Sequence, residues 1–153
     1  MENKTFVLEH MRAIGLQAAT ALQEQAPDLT GTQIIDRETD IPEFDPTVQY
    51  LNWKAGSVVR DDDQVWKLLQ PYDSTIYTDK PVNLRAQWGL CHTKNPKKAK
   101  PYVEPQGTSG MYMKDECCLE NDTVYVSNID NNVWHPESYP AGWYKYVEIP
   151  TAG

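Results

Sequence analysis

The chain has little positive charge and few groups suited to covalent chemistry. Only 14 Lys and Arg stand against 22 Asp and Glu, a net charge of -8 over 153 residues. That balance argues against a general affinity for nucleic acid, because gripping the phosphate backbone requires clustered cations. Cysteines number three, two of them adjacent, an odd count that does not describe a disulfide framework. No stretch reaches the length of a membrane span. The opening residues alternate charge with apolar character (Glu2, Lys4, Glu9) and lack a continuous apolar core, so no secretory leader is expected and synthesis in a cytoplasm is. Catalytic signatures are missing too: there is no Gly-x-Ser-x-Gly elbow, phosphate-binding loop or dinucleotide fingerprint, and His10 falls in a helical pattern far from any serine partner. Asp61-Asp62-Asp63 lacks the alternating ligands and downstream glutamate of a calcium loop and reads as a solvated turn. Cys91-His92 and Cys117-Cys118 could together supply four zinc ligands, but adjacent strand residues point to opposite faces and do not share a tetrahedral site. The expectation is a protein that is not an enzyme, with no cofactor and no metal.

What is present is aromatic and repetitive. Nine Tyr and five Trp against two Phe mean that amphipathic rings must supply much of the buried area, and eleven Pro favour short strands over long helices. A strand, turn, strand phrase occurs twice without a gap. Val58 and Val59 align with Cys117 and Cys118, Asp62 and Asp63 with Asn121 and Asp122, Val65 with Val124, and Trp66 with Tyr125. Acidic and amide residues tolerate left-handed backbone, so 61–64 and 120–123 are natural hairpin tips. Each hairpin is followed by an aromatic beside glycine, Trp88-Gly89 and Gly142-Trp143, where a third strand would close a small sheet. One of the vicinal cysteines is expected inside and the other exposed, where its thiol would be available for crosslinking.

Ahead of the repeats, Val7, Met11, Ile14, Ala18 and Leu22 recur at helical spacing up to the break at Pro27. Such a helix is marginal alone. It packs either on its own modules or, as an assembly helix, on copies of itself or another protein. The sequence therefore predicts a mainly β chain with an N-terminal α-helix and two small three-stranded β modules in tandem. The expected divisions are a helix over 1–27, an extended arm or linker over 28–43 with Ile34-Ile35 as a possible short strand, a first module over 44–90, a Pro- and Lys-rich solvated linker over 91–101, and a second module over 102–150.

Phe44-Asp45-Pro46, Tyr50, Ala55 to Val59, Val65-Trp66 and Trp88 together resemble the chitin-binding class of small carbohydrate-binding modules. The closing phrase, Asp130 to Pro136 followed by Gly142-Trp143, is similar to that of doubled, decayed copies of this module in tailed-phage virion proteins. The likeness covers about two thirds of the chain and leaves residues 1–43 unaddressed. Sugar-binding members carry two exposed rings shortly after the second strand, where this chain has Leu68 to Pro71 and Ser127 to Asp130 instead. Trp66, Trp88, Tyr125 and Trp143 fall at positions the family uses for its core. Trp134 differs, because its polar neighbours Asn131, Asn132 and His135 suit a partly exposed ring that stacks on a carbohydrate or a partner. The resemblance implies a virion structural protein of a bacteriophage, made in the host bacterial cytoplasm. It would be an exposed decoration or accessory protein on capsid or tail, held by its helix and arm. Its partners would be other virion proteins and its own copies, with a trimer favoured, and neither nucleic acid nor membrane. The alternative is a carbohydrate-binding module that adheres to cell-wall glycan or mucus.

Overall fold

The structure, a computed structural model, describes residues 18–147. Val7, Met11 and Ile14 of the expected assembly stripe lie outside the described residues. The molecule is mostly β, with one sheet of three strands and one of four, preceded by short helices. Among the described residues no helix is long and apolar enough to cross a membrane.

The two aligned phrases fold as the same object. Strands β1 (Val58–Asp61) and β2 (Gln64–Leu68) pair antiparallel with Val58 opposite Lys67 and Asp61 opposite Gln64, and β3 (Trp88–Leu90) adds to β2. In the second sheet β4 (Lys100–Pro101) lies parallel to β5 (Cys117–Glu120), which pairs antiparallel with β6 (Thr123–Ser127), and β7 (Trp143–Lys145) closes on β6. The hairpin registers correspond residue for residue, with Cys117 opposite Val126 and Glu120 opposite Thr123. Both tips have two central residues at positive φ, Asp62 and Asp63 at 50° and 61°, Asn121 and Asp122 at 49° and 61°. Positive φ at both positions matches the twist of the flanking strands, which is why short acidic and amide side chains sit there.

The first sheet is covered on both faces. Side chains alternate, so Val58 and Val65 face one way while Val59, Trp66 and Leu68 face the other. Val59, Trp66 and Leu68 join Tyr50, Tyr72 and Trp88 in an aromatic core. Val58 and Val65 meet Leu22, Ala26, Ile34, Ile35, Ile41 and Cys91. The N-terminal elements supply this second layer: α1, helical over residues 18–25 as described, and α2 (Gly31–Ile35).

Three expectations are corrected here. Leu22, assigned to an assembly stripe, is fully buried in its own chain's core, while Ala18 is only half-buried. The amide of Gln23 reinforces this docking, donating to the Val58 carbonyl and accepting its N–H, both at 2.8 Å. Ile34-Ile35 is helical rather than extended, because Thr30 and Gln33 form a capping box that satisfies two otherwise free amides. The arm is not free either, since Arg60 N donates to Pro42 O and Phe44 N to Arg60 O, laying residues 42–44 along β1.

The 91–101 stretch is also structure rather than solvated linker, and it makes the second sheet four-stranded. Cys91, His92 and Thr93 are buried, and Cys117 N donates to Thr93 O. Pro101 sits on a sheet edge, where its missing N–H costs nothing, and its carbonyl accepts from Gln64 Nε2 at 2.7 Å. The lysines face acids of the N-terminal layer: Lys100 pairs with Glu38, and Lys98 lies 3.7 Å from Asp36. His92 completes the joint between modules by stacking on Tyr112 at 3.7 Å and donating from Nε2 to Gly110 O at 2.8 Å.

Both vicinal cysteines are buried, which overturns the expectation of an exposed thiol. Cys118 packs with Tyr112 and Trp143, while the backbone of Thr93 pairs with Cys117 at the edge of β5 and the Cys117 thiol donates to Asp115 O at 3.5 Å. Burial pushes the Cys117 thiol up to about 11 and Cys91 to about 12, and raises Cys118 further, so the reactive thiolate is suppressed in all three.

Candidate functional site

The site is the loop between β6 and β7, and a buried amide builds it. Asn132 donates from Nδ2 to Ser127 Oγ at 3.0 Å and to Gly142 O at 2.9 Å, and its Oδ1 accepts from Trp134 N at 3.1 Å. Its backbone forms a bridge with Tyr112. Asn132 is therefore wholly internal, and its expected role as a contact residue is replaced by that of a scaffold. Asn131, exposed at a φ of 54°, makes the left-handed turn before it. Trp143 fixes the next step, its indole N–H donating to Trp134 O at 2.9 Å.

With its backbone held at both ends, Trp134 projects outward and is 52% exposed. Tyr139 stands beside it, ring centroids 5.6 Å apart and planes tilted by 41°. Glycine at 142 allows this, since a Cβ there would come within 2.7 Å of the Tyr139 ring. Trp134 and His135 line an open groove of about 830 Å³ with Tyr102, Glu104, Val133, Glu137 and Ser138. Burial, then the charge of Glu104, pushes the Tyr102 phenol up to about 12, so it remains a neutral hydroxyl. The groove thus offers the Trp134 ring flanked by carboxylates and a phenol, which suits stacking and hydrogen bonding.

Glu120, His135 and Glu137 bring their ligand atoms within 4.8 Å of one another. The hydrogen bonds favour a different reading from a metal centre. His135 Nδ1 accepts the Glu137 N–H at 3.2 Å, so the proton of the neutral ring is on Nε2, 2.9 Å from Glu120 Oε2. Neither nitrogen in that arrangement offers a free lone pair to a cation.

Tyr139, Tyr102, Glu104 and Glu137 escaped the sequence reading, yet part of their signal was present. Tyr72-Asp73 with Tyr77 and Trp134-His135 with Tyr139 share one spacing. In the first loop Asp73 Oδ1 accepts from Thr75 N, and Asp73 O accepts from Ile76 N and Tyr77 N. In the second, His135 Nδ1 accepts from Glu137 N, and His135 O accepts from Ser138 N and Tyr139 N. Ring pairs are therefore present in both modules, Tyr72 with Tyr77 at 6.3 Å and Trp134 with Tyr139, a few residues beyond where the resemblance places them. Tyr72 is turned inward to accept the Trp88 indole N–H, whereas Trp134 faces out. No protein-family model matches the chain, and no curated protein sequence matches it.

Proposed function

We propose that the chain is a non-catalytic structural protein of a tailed-phage particle, displayed on capsid or tail, with the Trp134–Tyr139 face of its second module as its contact surface. The observation that carries the contact reading is this outward ring pair on a braced loop, while Trp66, Trp88 and Trp143 are buried. The virion assignment rests on the resemblance of the doubled modules to decayed copies in phage proteins. Because Leu22 is occupied in the chain's own core, attachment is assigned to the aromatic face rather than to that part of the helix. Symmetric self-assembly, with a trimer favoured, would present several such faces together.

Mass spectrometry of purified virions is expected to find the chain in stoichiometric amount, and light scattering to find an oligomer. Trp134→Ala is expected to weaken particle binding about tenfold or more, as loss of an interface aromatic does, with the unfolding midpoint unchanged because the ring is half exposed. Undiminished binding by that variant would remove the aromatic face from the account. A second reading, adhesion to cell-wall glycan or mucus, is favoured by the placement of Glu104 and Glu137 in the same groove, where carboxylates can accept from sugar hydroxyls. Binding to chitin, peptidoglycan or mucin that disappears in Trp134→Ala would select it.

A further inference from the structure

We propose that His135 makes the Trp134–Tyr139 face pH-sensitive, presenting it when the imidazole is neutral and releasing it when the ring takes up a second proton. This regulation rests on the contact reading above, but the device itself stands on the geometry of the loop.

The two modules cap the same loop with different acceptors. Asp73 takes the Thr75 N–H at 2.9 Å and the Thr75 hydroxyl at 2.6 Å. The bonds from the Thr75 side chain, then Gln49, then the Thr75 amide hold this carboxylate below its usual range, so it remains an acceptor throughout mild acid. At the equivalent position His135 accepts the Glu137 N–H through Nδ1. An imidazole can do this only while Nδ1 keeps its lone pair. Protonation there sets one N–H against another and removes the cap.

The surroundings give the cation somewhere to go. Glu120 on β5 already faces Nε2, and the Glu137 carboxylate, held by Asn121 Nδ2 at 2.7 Å, belongs to the same cluster, its ligand atom within 4.8 Å of those of Glu120 and His135. Tyr102 packs edge-on to the ring at 4.6 Å as a neutral phenol, and Glu104 lines the same groove. Among the described residues, the groups facing the ring are thus carboxylates and one uncharged hydroxyl. The loop feels the change directly, because Trp134 precedes His135 and the Tyr139 amide bonds to the His135 carbonyl. Histidine is the side chain whose charge ordinarily changes near neutrality. The chain's other described imidazole, His92, is pushed down to about 4 by burial and leaves this window clear.

The test is a nitrogen-15 NMR titration of the full chain between about pH 8 and about pH 5. The His135 ring, the Glu137 amide and the Trp134 indole are expected to shift with one shared midpoint. In His135→Asp, which installs the acceptor of the first module, the Glu137 amide should stay still. In Asp73→His the Thr75 amide should acquire a pH dependence. A Glu137 amide that moves with a midpoint different from the ring, or that moves equally in His135→Asp, overturns the proposal. The wild-type titration decides the matter even should a variant fold poorly. No partner is needed, so failure here is separable from failure of the contact reading, which the binding of Trp134→Ala decides.

Discussion

Replacing Trp88 by alanine is expected to lower the unfolding free energy by about 3–5 kcal/mol, enough to unfold a domain of ordinary marginal stability at moderate temperature. The ring is fully buried where the first module's aromatics converge: it meets Tyr50 edge-on at 5.2 Å, Tyr72 at 6.0 Å and Phe44 at 6.2 Å. Truncation removes one of the two buried tryptophans of that core and opens a cavity among the three rings it meets. It also leaves the Tyr72 hydroxyl without the indole N–H that donates to it at 2.9 Å. Trp88→Phe separates the two effects, since it keeps most of the packing and forfeits the hydrogen bond, for a loss of about 1 kcal/mol. Urea unfolding monitored by circular dichroism gives both values; a Trp88→Ala midpoint equal to wild type would contradict the core described for the first module.

The second large effect concerns acid. His92 is buried between the modules, and burial lowers its pKa from 6.5 to about 4 against the opposing hydrogen bond to Gly110. The sign follows from proton counting. As the pH falls below about 6.5 the unfolded chain binds a proton that the folded chain refuses, so stability present above that value is lost as the pH falls through about 4. The depression corresponds to a loss on the order of 3 kcal/mol. His92→Gln keeps a donor for the Gly110 carbonyl but does not titrate. Near pH 7 it should be less stable than wild type by about 1 kcal/mol, through the lost stacking on Tyr112. Toward pH 4 the order should reverse. Asp45 and Asp73, whose carboxyls are held low by Thr47 and Thr75 respectively, also lose stability in acid, but they do so in both proteins and drop out of the comparison. Parallel pH profiles for the two proteins would show that His92 is not held neutral at the joint.

Local chemistry was readable in the sequence. The hairpins announced themselves through residues that need only their neighbours: alternating Val58-Val59 and Val65-Trp66, and turn residues such as Asn121-Asp122 that accept a left-handed backbone. The closing positions of Trp88 and Trp143 followed from the repeat. Features that depend on distant partners were harder to see. Asn132 looked like a surface residue until Ser127 and Gly142 arrived to satisfy its amide. Adjacent cysteines suggested one inside and one outside, because nothing local says that the 91–101 stretch will return to pair with β5 at Cys117. Lys98 and Lys100 read as solvated until Asp36 and Glu38 came alongside them. Of the candidate site, Trp134 and His135 were legible from their polar setting. Tyr139 was hidden because its pairing with Trp134 depends on a turn closed by the His135 carbonyl and on the space left by Gly142.

The grip of Gln23 on Val58, continued by residues 42–44 along Arg60, has a consequence for crowding. A bare outer strand is a template on which a foreign strand can zip, and proteins held at high local concentration are prone to grow fibres that way. Here the amide side chain and the folded-back segment occupy the β1 margin, so neighbouring copies are denied that edge of the first sheet as a ladder.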